Sequence, residues 1–436
     1  MVAGGPDFIP PQLEIIQKGE LVSGWQLEGK NVSQKRNSLG GKPFMPVILL
    51  SFGHGATHYA FGTFIILVPF IKQALGLTYT EAGLIVSTFH VTGFFVNFAT
   101  GLAVDMSGRR VLFIILSALI CGISMLALGF SPSFLVICIF AGMLAIGVQG
   151  WHPPAFAFLA EEYENAKGMV FSIHVVAANI SEAIAFQVGG LIVTLIGSWQ
   201  VAAMTGAVPG LFAALLLAAL LLHKEKAANG KQGKAMGLKA YLAGYVNLLA
   251  NIPAMMVCVV SSLRTMAQNG LLVFIPLYLI DVLGVSAALM GTGMLAMQIA
   301  GGVATPIGGY TSDRFGPRPV LFVCITITSL AIILATNITD PTTYILVISL
   351  VGFVLFAMRP VLQRWIVDLV PGEFRGSATS VMFSMQAAGN ALIPIVGGWI
   401  ADNRGMLDVF YFFAAIMLGA NILTFFLPKT NPANGS

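Results

Sequence analysis

The stretch GLAVDMSGRR, residues 101–110, places Asp105, Arg109 and Arg110 within six residues of one another in a chain of which only 9% is charged. Apolar runs flank it, 84–100 before and 111–130 after. The stretch GGYTSDRFGP at 308–317, followed by Arg318, repeats the arrangement. Two short charged turns between long apolar runs suggest helices that leave a bilayer and re-enter it.

Composition agrees. Hydrophobic residues make up 57% of the 436 and mean hydropathy is +0.88, well above the roughly 45–50% apolar content of soluble domains. Twelve apolar runs occur, at 44–71, 81–104, 111–130, 134–159, 168–196, 200–222, 249–280, 286–310, 319–337, 343–367, 377–401 and 408–427. Each is long enough to cross a ~30 Å hydrocarbon core as a helix. None shows the alternating pattern of outer-membrane strands. The expected class is therefore an all-α membrane protein with twelve transmembrane helices.

The four cysteines, Cys121, Cys138, Cys258 and Cys324, fall inside these runs and read as small hydrophobes, with no disulfide or metal framework. Residues 1–43 are too long and polar for a cleavable signal and read as a cytoplasmic tail. With the N-terminus inside, nearly all of the 22 Lys and Arg fall on the cytoplasmic side; Lys72 and Arg404 fall outside, and Arg264 and Arg359 within spans. That is the positive-inside pattern. It puts both termini in the cytoplasm and the protein in the plasma (inner) membrane. The net charge of +4 then reports topology and implies no nucleic acid.

The basic, Gly- and Ala-rich segment 223–248 has the composition of a flexible linker. Across it a shift of 208 residues superposes Leu75-Gly76 on Leu283-Gly284, Gly83 on Gly291 and Gly93 on Gly301. The same shift carries Gly101, Asp105, Gly108 and Arg110 onto Gly309, Asp313, Gly316 and Arg318, and VGGLI at 188–192 onto VGGWI at 396–400. The chain thus reads as two parallel six-helix halves, 44–222 and 249–428, with a cytoplasmic tail at 429–436. The turns around Arg109, Arg110 and their counterparts read as conformational-switch loops, with a glycine where the chain reverses and an aspartate able to meet a helix N-terminus or an arginine. The plainer reading is a loop kept inside by its arginines.

These turns resemble the signature loop of the major facilitator superfamily, and the twelve runs, the 6+6 repeat and the basic central segment resemble its organisation over 44–428. Within it, FGHGATHYAFGTFIILVPFIKQALGLTYTEAGL at 52–84 and GWHPPAFAFLAEE at 150–162 resemble the fosmidomycin-resistance-type exporters. His54 and His152-Pro153 match that pattern, while His58 stands where such proteins carry an aspartate. The drug/proton antiporter pattern fits less well, since Ile146 occupies the arginine position before Gln149-Gly150. The resemblance implies alternating access, with the third, sixth, ninth and twelfth helices outermost, and those four runs carry no charged residue or His in their interiors, only Asp408 at an edge.

The remaining runs hold the candidate substrate and proton pathway: His54, His58, His90, His152, His174, Glu182, Arg264, Gln268 and Arg359. Ionisable groups in a membrane are costly facing lipid and ordinarily face a cavity or one another. His54 and His58, four apart, share a helix face and suit an anion or a proton; packing histidines are the bland alternative. His152 precedes Pro153-Pro154, which disturb the helix. Glu182 is the one mid-membrane carboxylate and a coupling candidate. Arg264 and Arg359 need a partner, either Glu182 or an anionic substrate group.

A membrane-embedded enzyme or metal protein is the competing class. Only His54 and His58 have ligand spacing in sequence, and no nucleotide-binding or catalytic motif accompanies them. The expectation is a monomeric secondary transporter without catalytic residues, metal or cofactor. Its partners would be a small, anionic organic compound or drug, protons and the lipid bilayer, with proton-coupled efflux as the direction and organic-anion or metabolite uptake as the alternative.

Overall fold

The computed structural model describes residues 38–39, 42–225, 251–370 and 375–427, apart from the side chains of a few of them. Met1–Phe44 forms a unit of its own, in which Ser38–Leu39 (β1) and Lys42–Pro43 (β2) pair antiparallel. Of the expected linker at 223–248, all but residues 223–225 lies outside the described residues, as does the tail at 429–436.

The second unit begins at Met45 and is helical. The first half contributes α1 (Met45–Leu75), α2 (Tyr79–Ser107), α3 (Arg110–Leu128), α4 (Phe134–Gly150), α5 (His152–Glu162), α6 (Lys167–Ile196) and α7 (Trp199–Leu221). The second contributes α8 (Ile252–Asp281), α9 (Ala287–Phe315), α10 (Pro317–Ala335), α11 (Pro341–Asp368), α12 (Arg375–Arg404) and α13 (Met406–Phe426). Among the described residues, twelve helical stretches are long and apolar enough to cross a membrane, with α4 and α5 making up one of them. The break between those two falls at Trp151, just before His152-Pro153-Pro154. Neither proline has an N–H, so the carbonyls of Gln149 and Gly150 lose their helical donors.

Local signals set the boundaries, and most come in pairs. Among the described residues, every positive-φ glycine belongs to a pair 208 residues apart: Gly76 with Gly284, Gly108 with Gly316, Gly197 with Gly405. A positive φ has a low cost only for glycine, so both copies keep it at these helix ends, although ψ differs between them, 2 at Gly108 and 13 at Gly197 against 158 at Gly316 and 162 at Gly405. Thr78 and Ser286, also repeat partners, cap α2 and α9 by accepting the N–H of Glu81 and Leu289. Asp340 caps α11, accepting from the Oγ1 and N–H of Thr343, contacts that hold its carboxyl below its ordinary range.

The outer faces of α3, α7, α10 and α13 present exposed apolar side chains, among them Leu116, Phe212, Leu215, Leu330, Leu334 and Ile422. This is the surface a bilayer covers. The remaining helices surround the interior, and the halves meet along α2 with α12 and along α6 with α9.

Candidate functional site

A cavity of about 790 Å³ lies between the halves. It is lined from α1, α2, α4, α5 and α6 on one side and from α9, α11 and α12 on the other, and by no residue of α3, α7, α10 or α13. A chamber of about 280 Å³ adjoins it, sharing His58, His152, Arg359 and Asn390 and reaching His90, Glu182, Arg264 and Gln268.

The cavity sits toward the end that carries the α2–α3 and α9–α10 turns. At the opposite end the halves touch, and they do so in repeat-related pairs. A Cβ on Gly83 would come 2.1 Å from the Pro394 carbonyl oxygen, and one on Gly291 2.5 Å from that of Phe186. Gly190 faces the Ala287 carbonyl as Gly398 faces that of Tyr79. Each pairing is the other shifted by 208. Tyr79 and Thr80 donate their N–H groups to Asp402 at 2.9 and 2.8 Å, and the counterpart is Ala288 N–H donating to Thr194 Oγ1 at 2.8 Å. Between the ends of α1 and α8 on that same side, Asp281 takes Gln73 Nε2 at 2.8 Å and Lys72 Nζ at 3.1 Å. Asp402 and Asp281 escaped the sequence reading, although the aligned glycines beside Asp402 were a signal.

Inside the cavity the helices carry different chemistry. His54 Nδ1 donates to the His174 carbonyl at 2.9 Å, and the two rings stack at 4.0 Å. Because a carbonyl only accepts, His54 holds its proton on Nδ1, leaving Nε2 a lone pair that is buried and without a partner. Trp151 Nε1 donates to His174 Nε2 at 3.3 Å. The His58 ring stands edge-on to His54 at 4.8 Å and approaches His152 at 6.0 Å. His58 Nδ1 meets Glu182 Oε2 at 2.9 Å, and Gln298 Nε2 donates to Glu182 Oε1 at 3.0 Å across the two halves. His152 opens α5 directly after the break at Trp151, with its ring edge-on to that of His54 at 5.2 Å.

The arginines divide. Arg264, 3% exposed, gives Nε and Nη2 to the Leu355 carbonyl at 3.1 and 2.7 Å. Pro360 lacks an N–H and loosens the α11 ladder close by. Glu182 is therefore not the hydrogen-bonded partner of Arg264. Arg359 projects into the cavity, and among the described residues no carboxylate lies within ion-pair distance of it. His90 and Gln268 line the chamber, with His90 packed edge-on against Phe89 at 5.4 Å. The sequence reading missed Gln149, Gln363, Gln386 and Asn390 on the same walls, since uncharged polar residues on an apolar helix carry weak signal.

At the turns, Gly108 and Gly316 take φ of +65 and +84, and Gly101 and Gly309 face open space. The side chain of Asp105 lies outside the described residues. Arg110 pairs with Glu161 and Asp313 with Arg364, while Arg318 donates to the Phe425 carbonyl. Arg109 is exposed at the N-terminus of α3.

The sequence pattern of the Major Facilitator Superfamily matches residues 50–302 and 257–436. The chain belongs to this superfamily of membrane transporters and is not an enzyme. It is 25% identical over 420 residues to the Hexuronate transporter of Bacillus subtilis (strain 168), covering 88% of this chain and 93% of that one. It is 26% identical over 372 residues to the Multidrug resistance protein MdtG of Enterobacter lignolyticus (strain SCF1), covering 83% and 87%. Among solved structures, a bacterial homologue of the human lysosomal transporter Spinster, inward-facing and unoccupied, superposes with a TM-score of 0.76 at 16% identity, covering 89% of this chain and 98% of that one. That likeness concerns the fold alone.

Proposed function

We propose that this secondary transporter moves a small organic anion, with Arg359 as the anchor for its carboxylate or phosphonate group and His58–Glu182 as the proton-coupling pair. The observation that carries the reading is the inequality of the buried charges. Arg264 is engaged by Leu355 and Glu182 by His58 and Gln298, whereas the Arg359 guanidinium meets the cavity with its donors free for ligand oxygens. A guanidinium in a low-dielectric cleft presents a planar fork suited to two oxygens.

Alternating access follows from the architecture. The halves 44–222 and 249–428, joined through 223–248, rock about the cavity. With both termini cytoplasmic, the described conformation is open inward and closed at the α2–α12 and α6–α9 contacts. Protons suit the coupling role because His58 and Glu182 share one hydrogen bond that a proton would rearrange. The resemblance to fosmidomycin-resistance-type exporters and the MdtG relative favour proton-coupled efflux of an anionic compound by a monomer in the plasma membrane. The hexuronate relative supports a second reading, uptake of an organic anion through the same site.

Reconstituted protein tests the proposal. An inward-acid or outward-acid pH gradient should drive accumulation of organic anions such as hexuronates or phosphonates, and collapse of the gradient should stop it. Transport that ignores the gradient and prefers lipophilic cations would overturn the reading.

A further inference from the structure

Sequence spacing admits only His54 and His58 as neighbours able to share an ion, but the fold adds a third. One ring nitrogen from each of His54, His58 and His152 lies within 4.8 Å of the other two. We infer that these three histidines form a binding site for a divalent late-transition metal ion, facing the cavity with at least one coordination position open.

Three observations converge beyond proximity. Metal-ligating histidines characteristically donate their other ring N–H to a backbone carbonyl or a carboxylate, which fixes the tautomer. His54 does this toward the His174 carbonyl and His58 toward Glu182, both at 2.9 Å, so each is left with Nε2 free to ligate. His152 is placed beside both by the start of α5, its ring edge-on to His54 at 5.2 Å and to His58 at 6.0 Å. The second observation is that His54 Nε2 is buried and has no hydrogen-bond partner, a cost that a bound cation would remove. The third is room to close the site. Metal–nitrogen bonds of about 2.0–2.1 Å put tetrahedral ligand nitrogens roughly 3.4 Å apart. His58 and His152 are only half-buried, so small ring rotations suffice.

Three neutral imidazoles select zinc, cobalt, nickel or copper over magnesium or calcium, which prefer oxygen. Glu182 behind His58 offsets part of the ion's charge. The open position faces the cavity that also holds Arg359, so a chelating anion could take the metal with one group and the guanidinium with another.

The test needs no transported substrate, so its failure would leave the anion-transport reading standing. Full-length protein in detergent, stripped with a chelator, is titrated with Co²⁺ by absorption spectroscopy and with Zn²⁺ by equilibrium dialysis and metal analysis. The expected result is one ion per chain, with at least tenfold weaker binding in monodisperse His58→Gln and His152→Gln. Glu182→Gln should weaken binding about 10–100-fold through the second shell, while His223→Gln, outside the cavity, should bind as wild type. A wild-type protein without a stoichiometric ion overturns the inference whether or not the variants fold. So does undiminished binding in both cavity-histidine variants.

Discussion

Where the halves touch at the end away from the cavity, Gly83 meets the Pro394 carbonyl as Gly291 meets that of Phe186, and Gly190 meets Ala287 as Gly398 meets Tyr79. In the cavity the same shift of 208 carries His54 to Ser262, His58 to Met266 and Glu182 to Asn390. His54 and Ser262 still make one bond in common, each donating to a carbonyl of the facing helix, His174 and Met385, at 2.9 Å. The repeat is thus kept where backbones must approach closely and lost where side chains face the cavity. Close approach admits only glycine, so both copies retain it. A binding cavity between two halves has no need of symmetry unless its ligand is symmetric, and here the histidines gather on one wall and the arginines on the other.

The largest expected effect comes from breaking the symmetric region. Gly83→Val should disfavour closure of this contact, because the new side chain must displace the Pro394 backbone. Overpacking of this kind costs about 1–3 kcal/mol, enough to cut transport in reconstituted vesicles roughly fivefold or more. Gly291→Val should match it, since its partner is the repeat-related Phe186 carbonyl. Wild-type rates in either variant would show that the contact is not a working gate.

Next comes the asymmetric centre. Glu182→Gln removes the titratable carboxylate that meets His58 and should leave substrate exchange intact while abolishing its response to a pH gradient. Accumulation that still follows the gradient in this variant would remove Glu182 from the coupling step.

Sequence reached the twelve spans, the halves, the paired turns and the break at His152 because each rests on local chemistry: apolar runs, glycine, proline and a fixed shift. It did not reach the partners of the buried charges. Arg264 was open to Glu182 or a ligand, and the structure gives it the Leu355 carbonyl, a backbone acceptor that no residue type announces. Likewise His152 and His174 lie about a hundred residues from His54, and only the packing of α1 against α5 and α6 gathers them. Asp105 and Asp313 read as equivalent, yet Asp313 pairs with Arg364, whose repeat position is Phe156, so the two turns differ in at least one contact.

Smaller effects sharpen the contrast between engaged and free charges. Arg264→Lys should lower the thermal unfolding midpoint by a few degrees, because one ammonium replaces a two-pronged donor at the Leu355 carbonyl. An unchanged midpoint with weakened ligand binding would move Arg264 into the binding site. Smallest of all, Asp313→Asn breaks a pair whose members are both more than half exposed. Such pairs contribute about 0–1 kcal/mol, so transport should fall by no more than a few-fold. A complete loss would give this turn a role beyond its single ion pair.

The claim that the cavity is an anion site centred on Arg359 is tested most directly by equilibrium binding to purified protein. Isothermal titration of wild type and Arg359→Lys with a hexuronate or a phosphonate, and with a cation of similar size, isolates the guanidinium from transport and coupling. The predicted result is measurable anion binding by wild type, weakened roughly tenfold or more in the lysine variant through loss of the two-pronged contact, with no comparable affinity for the cation. Equal anion affinity in the two proteins, or tighter binding of the cation, would contradict it.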